Sequence, residues 1–128
     1  MMPSRERVDD FVDAVVSGDH ADAIRNFYHE DASMQENETP PRIGRDHLVA
    51  HEEAALARVQ AMETHPPRAV LVDGDQVMIA WTFDMTDGKG VRRRLREIAL
   101  QEWRDDRILR EQFVYDTATA WKPIEGEA

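Results

Sequence analysis

The chain contains no cysteine, which excludes disulfides, thiolate nucleophiles and cysteine-based zinc sites. Basic residues are also scarce, since 16 Lys and Arg stand against 26 Asp and Glu, for a formal net charge of −10. A chain this acidic is poorly suited to bind nucleic acid or an anionic membrane surface. No apolar run is long enough to span a bilayer, and the start "MMPSRERVDD" lacks the apolar stretch of a signal peptide. We therefore expect a cytoplasmic protein whose partners are a small molecule and a second copy of itself.

The residues that are present suit one compact domain. The chain has 128 residues, of which 41% are hydrophobic and 33% are charged, a balance that can bury a core. We predict a single domain over residues 1–128, with a core of about 5–118 and a C-terminal tail of 119–128. The tail contains Pro123 and Gly126, and we expect it to fray unless Trp121 docks.

The first half of the chain predicts three helices. Ser4 can cap the first and Gly18 can end it, whereas Asp19 can cap a shorter second helix that ends near Tyr28. After "SMQENE", which suits a short strand or an extended loop, Asp46 can cap a long third helix. Its segment, "HLVAHEEAALARVQAM", carries one apolar stripe of Leu48, Ala55, Val59 and Met62.

The second half predicts four strands joined by tight turns. These are "RAVLV", "QVMIAWTFDM", "VRRRLREIALQEW" and "ILREQFVYDTA", which form an antiparallel meander. In the second strand every odd position from Val77 to Met85 is apolar, so that face should pack against the helices. The third strand carries apolar residues on both faces. We therefore predict an α+β domain that forms a homodimer through the outer face of its sheet.

The order of these segments is similar to that of a known family. The segments "FYHEDAS" and "EIALQEWRDDRILREQFVYD" resemble the SnoaL-like branch of the nuclear transport factor 2-like superfamily, over roughly residues 5–118. The resemblance implies a cone-shaped fold in which three helices pack on a strongly curved antiparallel sheet and enclose a pocket. Enzymes of this superfamily include polyketide cyclases, ketosteroid isomerases, dehydratases and epoxide hydrolases, and other members only bind ligands. The enzymes place carboxylates in an apolar cavity, where burial raises the carboxyl pKa and allows proton transfer near neutral pH.

The catalytic residues of the characterised enzymes are not found at matching positions. Where the epoxide hydrolases carry an Arg and an Asp on one strand, this chain has Trp81 and Phe83 as its inward residues, and their last-strand acid falls near Phe113. The isomerases' combination of a tyrosine with two acids is absent as well. Two hypotheses follow: a cofactor-independent isomerase-, cyclase- or dehydratase-like enzyme acting on an apolar metabolite, or a non-catalytic ligand-binding or dimerisation module.

Glu97 is the principal candidate for acid–base chemistry. If Leu95, Ala99 and Trp103 face the cavity, the two-residue period of a strand places Glu97 and Gln101 there as well. A carboxyl group beside Trp81 would be desolvated and would act as the general acid or base. The alternative is that the opposite face lies inward, which would leave Glu97 paired with an arginine of "VRRRLR" on the dimer or solvent side.

The side of the last strand that faces the cavity depends on the hairpin before it. A two-residue hairpin at Asp105 and Asp106 pairs Trp103 with Ile108, which puts Gln112 and Asp116 on the same face as Glu97. The family resemblance instead points Glu111, Phe113 and Tyr115 inward. A β-bulge in the hairpin would reconcile the two arguments.

The remaining candidates have assisting roles. Glu111, Tyr115 and His51 would assist Glu97, and His51 lies on the apolar stripe of the third helix. Substrate would contact Tyr28, Trp81, Phe83, Gln101, Trp103 and Phe113. Simple core packing remains the alternative for the tyrosines and for His51.

His47 and His51 lie one helical turn apart, a spacing that can chelate a metal, but the zinc-protease pattern is incomplete. We predict neither a metal nor a cofactor.

Overall fold

The computed structural model describes residues 2–124. Its three helices are α1 (Arg5–Val16), α2 (His20–Phe27) and α3 (Arg45–Ala57). Its eight strands are β1 (Tyr28–Glu36), β2 (Arg42–Ile43), β3 (Ala61–Thr64), β4 (Ala69–Asp73), β5 (Gln76–Thr86), β6 (Arg92–Arg104), β7 (Arg107–Val114) and β8 (Lys122–Pro123). The helices lie early in the chain and most of the strands lie late, which is the order predicted for an α+β domain.

The first two helices begin and end where their capping residues predict. The Ser4 side chain accepts a hydrogen bond from the Arg7 backbone N–H, and the Asp19 side chain accepts one from that of Asp22. Between the helices, Gly18 adopts a φ of +98°, a left-handed conformation that favours glycine. Local chemistry is therefore sufficient to place α1 and α2.

The third helix is shorter than predicted. It ends at Ala57 rather than continuing to Met62, and it begins directly after Gly44 instead of being capped by Asp46. Met62 lies on strand β3, where it pairs with Met85 of β5. The alanine- and glutamate-rich segment favours a helix, but hydrogen bonding to the free edge of β5 decides the structure of its last residues.

The strands form one curved, unclosed sheet in the order β2-β1-β7-β6-β5-β3, with β4 also paired to β5 and β8 to β6. Strands β4 to β7 are the predicted antiparallel meander. The sheet as a whole is mixed rather than antiparallel throughout, because β1, outside the predicted meander, runs parallel to β7. Strand β1 was expected only as a short strand or loop. Its sequence "YHEDASMQE" lacks an apolar alternation, and only Tyr28 and Ala32 are buried in it.

A bulge in the β6–β7 hairpin reconciles the two predicted registers. Trp103 pairs with Ile108 as the two-residue turn requires, but Glu102 pairs with Arg110, which leaves Leu109 as the extra residue. Beyond the bulge, Gln101 is opposite Glu111 and Ala99 is opposite Phe113. Paired residues of an antiparallel sheet share a face, so Glu111 and Phe113 lie on the side of Glu97.

The helices pack against the inner face of the sheet. Val77, Ile79 and Trp81 of β5 are each no more than 2% exposed, which confirms the predicted inner face of that strand. Phe11 of α1 makes edge-to-face contacts with three buried rings, those of Phe27, Tyr28 and Trp103. These contacts join α1 and α2 to the sheet.

The C-terminal segment returns to the sheet. The Trp121 backbone N–H donates to the carbonyl of Arg94, and β8 pairs with the start of β6. Trp121 therefore docks on the sheet, as an ordered tail requires, and the chain is described as far as Ile124. Residues 125–128, including Gly126, lie outside the described residues. Over the described part of the chain, none of the helices has the length and apolar character needed to cross a membrane.

Candidate active site

A cavity of about 470 Å³ lies between the inner face of the sheet and the helices. Its walls are largely apolar and aromatic, with Phe11, Ile24, Leu56, Trp81, Phe83 and Trp121 among them. Of the predicted site residues, seven line it: Tyr28, His51, Trp81, Phe83, Glu97, Glu111 and Phe113. The curvature of the sheet thus creates a largely apolar space, and Glu97 and Glu111 are the two predicted carboxyl groups that line it.

Glu111 is fixed at the cavity wall by neutral hydrogen-bond donors. The Tyr28 hydroxyl donates to Glu111 Oε1, and Gln101 Nε2 donates to Oε2 at 2.6 Å. Gln101 is itself oriented by Trp103, whose Nε1 donates to Gln101 Oε1 at 2.9 Å. Burial raises the pKa of Glu111 to about 7, although the two hydrogen bonds lower it. The pKa of Tyr28 is raised well above its usual value, first by burial and then by the Glu111 charge.

Gln101 and Trp103 therefore occupy a different place from the one predicted for them. Both are buried and neither lines the cavity, since they lie behind Glu111 as its supports. In this arrangement their hydrogen bonds hold the Glu111 carboxyl group in a single orientation.

Glu97 faces the cavity from β6, directly opposite Trp81 of β5. Its pKa is raised to about 8, chiefly by burial and further by the charges of Glu111, Glu36 and Glu52. Its carboxyl group takes part in no hydrogen bond or ion pair with another described residue. Glu97 is therefore a carboxyl group without a described partner that is mostly protonated at pH 7 and ionises as the pH rises through about 8.

The alternative ion pair between Glu97 and the "VRRRLR" arginines is not formed. Arg93 donates to Asp87, and Arg94 donates to Asp84 at 2.7 and 2.9 Å. Arg94 lies on the outer face of β6, whereas Glu97 lies on the inner face. The arginines therefore balance acids of their own region of the sheet.

Two further predicted residues lie near the mouth of the cavity. His51 is exposed, and its pKa is lowered by partial desolvation and by the nearby charge of Arg42. Tyr115 lies just beyond the end of β7, where its hydroxyl donates to Glu36 Oε1 at 3.2 Å. Burial, followed by the charge of Glu36, raises the pKa of Tyr115. Neither side chain forms a hydrogen bond with Glu97.

A histidine that the sequence analysis missed lies on the helical wall of the cavity. His20 Nδ1 lies 3.3 Å from Glu52 Oε1, and His20 Nε2 lies 2.7 Å from Thr64 Oγ1. Its ring also meets that of Phe83 edge-on. The signal was present in the sequence, because His20 shares the helical spacing of Ile24 and Phe27. Both ring nitrogens are already engaged, so His20 links α2, α3 and β3.

The potential metal ligands lie elsewhere. Among residues 2–124, the group of three side chains close enough to share an ion is Glu63, His65 and Asp84, on the outer face of the sheet. His47 and His51 do not belong to it. Arg94 donates to both carboxylate oxygens of Asp84, so the anionic charge of this group already has a cationic partner.

Comparison with known proteins agrees with the fold. The family described as "SnoaL-like domain" matches residues 8–111. A candidate SnoaL-like polyketide cyclase from Mesorhizobium loti is 26% identical, with a TM-score of 0.71 over 86% of this chain and 97% of its own. Among curated proteins, none matches this chain.

Two further solved structures share the fold and contain ligands. TerC, co-crystallised with polyporic acid, is 18% identical, with a TM-score of 0.74 over 88% of this chain and 91% of its own. A protein from Catenulispora acidiphila with a ketosteroid isomerase-like fold, solved in complex with trimethylamine, is 17% identical, with a TM-score of 0.75 over 91% of this chain and 90% of its own. At these identities the likeness concerns the fold alone.

Proposed function

The chain belongs to the SnoaL-like domain family, and from this premise we propose that it is a cofactor-independent enzyme that transfers a proton on a small, largely apolar molecule. The observation that carries the proposal is the free carboxyl group of Glu97 in an apolar cavity, with a pKa of about 8. A group with a pKa near the working pH combines a useful population of the correct protonation state with a useful driving force for proton transfer. Glu97 is the group assigned to accept or donate the proton.

Glu111 would complement Glu97 by staying in place. Its two oxygens accept hydrogen bonds from Tyr28 and Gln101, so its orientation is fixed before a ligand enters. A fixed carboxyl group can hold a polar atom of the substrate while the freer Glu97 moves the proton. Trp81, Phe83 and Phe113 would contact the apolar body, whereas His51 and Tyr115 would act only from the mouth.

The neighbouring structures support the class of ligand at a coarse level. Polyporic acid and trimethylamine are both small organic molecules, and each is bound by a protein of this fold. Family membership supports an enzyme of the cyclase or isomerase type but does not fix the reaction, because one fold carries many activities.

Glu97→Gln tests the proposal. A panel of small apolar ketones would be incubated with the protein in D₂O, and deuterium uptake next to the carbonyl group would be followed by NMR. Removing a general base typically costs on the order of 100-fold or more in rate, so the variant should lose exchange while keeping its fold and ligand binding. Glu102→Gln, the same change on the outer face of β6, is the matched control. Equal exchange by wild type and Glu97→Gln would refute the catalytic assignment.

A second candidate function is ligand binding without turnover. One observation favours it: no described residue orients the Glu97 carboxyl group, whereas catalytic bases are usually held in position. This candidate predicts ligand binding with no deuterium exchange in either protein, so the same experiment separates the two.

We also propose that two copies pair through the outer face of the sheet. Two cross-strand rows there are mostly apolar: Leu71, Met78, Leu100 and Gln112, followed by Ala69, Ala80, Ile98 and Val114. Leu71 is 57% exposed, and Leu100 and Val114 are each 42% exposed. A contiguous apolar surface across four strands suits an isologous contact, in which the same surface serves both subunits.

A further inference from the structure

We propose that the ligand of this cavity carries a positive charge: an organic ammonium group attached to an apolar body, with the cation seated between Glu97 and the ring of Trp81. The inference rests on the proposed small-molecule function of the cavity and names the class of molecule that it takes. Three observations support it: the carboxyl groups of the cavity that have no cationic partner, the aromatic surface of the cavity, and the net charge of the whole chain.

The carboxyl groups of the cavity exceed its available cations. Four glutamates line it, which are Glu36, Glu52, Glu97 and Glu111. Of its two arginines, Arg42 forms an ion pair with Glu36, and Arg58 donates to the Ala54 carbonyl on its own helix. Among the described residues, Glu111 is held only by neutral donors and Glu97 is held by none. A cationic ligand would supply the positive charge that residues 2–124 do not place beside them.

The aromatic side chains offer the second half of a cation site. Trp81 is directly opposite Glu97 in the β5–β6 pair, and its ring stacks with Phe83 at a centroid distance of 5.6 Å. The face of an aromatic ring attracts a cation, most strongly for tryptophan, and the attraction increases when water is excluded. One carboxyl group beside a desolvated indole therefore suits an alkylated ammonium group better than an inorganic ion, because the alkyl groups contact the rings.

The charge of the whole protein acts in the same direction. A formal net charge of −10 draws cations toward the surface and disfavours the approach of anions. Long-range attraction and the local arrangement in the cavity therefore favour the same class of ligand.

Binding of such a cation is coupled to the ionisation of Glu97. The cation attracts the carboxylate form, so Glu97 releases its proton when the cation binds, and affinity must rise with pH until Glu97 is ionised in the free protein. The other titratable or charged side chains that line the cavity are His20, Tyr28, Glu36, Arg42, His51, Glu52, Arg58 and Glu111, and the Tyr115 hydroxyl donates to Glu36. Ionisation of Glu111 would act in the same direction.

The test uses two probes of equal size in isothermal titration calorimetry. Benzyltrimethylammonium is permanently cationic, so any pH dependence of its binding belongs to the protein, and N,N-dimethylbenzamide is its neutral counterpart. We expect the affinity for the cation to rise about tenfold per pH unit from pH 6 to 7 and to level off above pH 8. The affinity for the amide should not rise with pH. At pH 8.5 the cation should bind at least tenfold more tightly than the amide.

Variants assign the effect to its residue. Glu97→Gln should lose at least tenfold in affinity for the cation at pH 8.5 while binding the amide unchanged, and Glu102→Gln should bind both probes as wild type does. An unchanged affinity for the cation in Glu97→Gln, or tighter binding of the amide at pH 8.5, would overturn the inference, as would failure of the cation to bind. Binding of the amide alone would leave the proposed function standing, whereas cation binding without proton exchange would refute only the catalytic part of that function.

Discussion

The carboxyl group of Glu97 lies where its ionisation opposes folding. Its pKa is about 8 in the folded protein, against an ordinary value of 4.5. The folded state therefore holds the proton more tightly than the unfolded chain, so stability is fully present below about pH 4.5 and is lost as the pH rises toward 8. A difference of this size corresponds to at most about 5 kcal/mol, and contact with water in the cavity reduces it.

Glu97→Gln should therefore stabilise the protein in a pH-dependent way. We expect the variant to exceed wild type by about 2 kcal/mol in free energy of unfolding at pH 9, and to match it closely at pH 5. Urea denaturation at the two pH values measures this difference. Glu102→Gln, on the solvent side of the same strand, should show no comparable change with pH. A gain of the same size at both pH values would show that the pKa of Glu97 is not raised.

Asp84 presents the opposite case on the outer face of the sheet. Its side chain is 2% exposed, and Arg94, through two hydrogen bonds, and His65, at 2.7 Å, hold its carboxylate. The hydrogen bonds from Arg94 are the largest cause that lowers the pKa of Asp84, from 3.8 to about 2. The resulting stability is present above about pH 3.8 and is lost as the pH falls through 2.

Replacing Asp84 with Asn should weaken this network. We expect Asp84→Asn to lower the free energy of unfolding by about 2 kcal/mol at pH 7, and by less at pH 3, where the wild-type carboxyl begins to protonate. Thermal or urea denaturation at both pH values gives the result. Glu63→Gln, an exposed neighbour in the same cluster, should cost far less. Equal losses for the two variants would contradict the assignment.

At the scale of whole elements, local signals predicted the start of the chain better than its middle. The caps at Ser4 and Asp19 act through hydrogen bonds within one helical turn, so the sequence alone contains the information. The end of α3 and the existence of β1 depend on strands distant in the sequence, because their hydrogen bonds go to β5 and β7. Propensity does not contain that information.

The candidate site shows the same division. The two-residue period of β6 put Glu97 on the same face as Leu95, Ala99 and Trp103, since the alternation is local, but it left open which face of the strand lies inward. The position of Glu111 depended on one extra residue, Leu109, which the composition of the hairpin does not reveal. His20 was missed because its partners, Glu52 of α3 and Thr64 of β3, are distant in the sequence and only the fold brings them together. Sequence patterns therefore indicated which residues of a strand share a face, while the inward face of β6 and β7 and the neighbours across strands required the fold.

Trp121 and strand β8 form a C-terminal strap that pairs with β6. Two variants separate the contribution of the Trp121 ring to stability from that of the backbone hydrogen bonds of the strap. The ring lines the cavity, and the residue adopts a φ of +59°, which strains a bulky side chain. Trp121→Gly keeps this backbone conformation at no cost and removes only the ring. We expect a loss of roughly 1 kcal/mol in free energy of unfolding and stronger binding of a fluorescent hydrophobic dye, because the cavity becomes more open.

Truncation after Asp116 removes the whole strap and is compared with Trp121→Gly. It also removes the hydrogen bonds of Trp121 and Ile124 to β6, so it should cost more stability than Trp121→Gly while leaving the protein folded. Circular dichroism shows whether each variant is folded, and urea denaturation measures its free energy of unfolding. Unchanged stability and dye binding in both variants would show that the strap does not close the cavity.

For the whole molecule, the two faces of the sheet have separate tasks. The inner face and the helices enclose the cavity, while the outer face keeps large apolar side chains in contact with solvent. Adjacent residues of β6 point to opposite faces, so Leu100 lies outside although Ala99 and Gln101 lie inside. A change at Leu100 can therefore alter the proposed dimer contact without touching the cavity.

Leu100→Arg tests the proposed dimer. We expect wild type to sediment as a dimer and the variant as a monomer, because the substitution would bury a guanidinium group from each subunit in an apolar isologous contact. Analytical ultracentrifugation at several concentrations measures the mass. Ile43→Arg, at an exposed apolar residue on β2 and away from the two apolar rows, should leave the dimer intact. If wild type is a monomer at all concentrations, the apolar rows do not join two copies. If the variant remains a dimer, a different surface joins them.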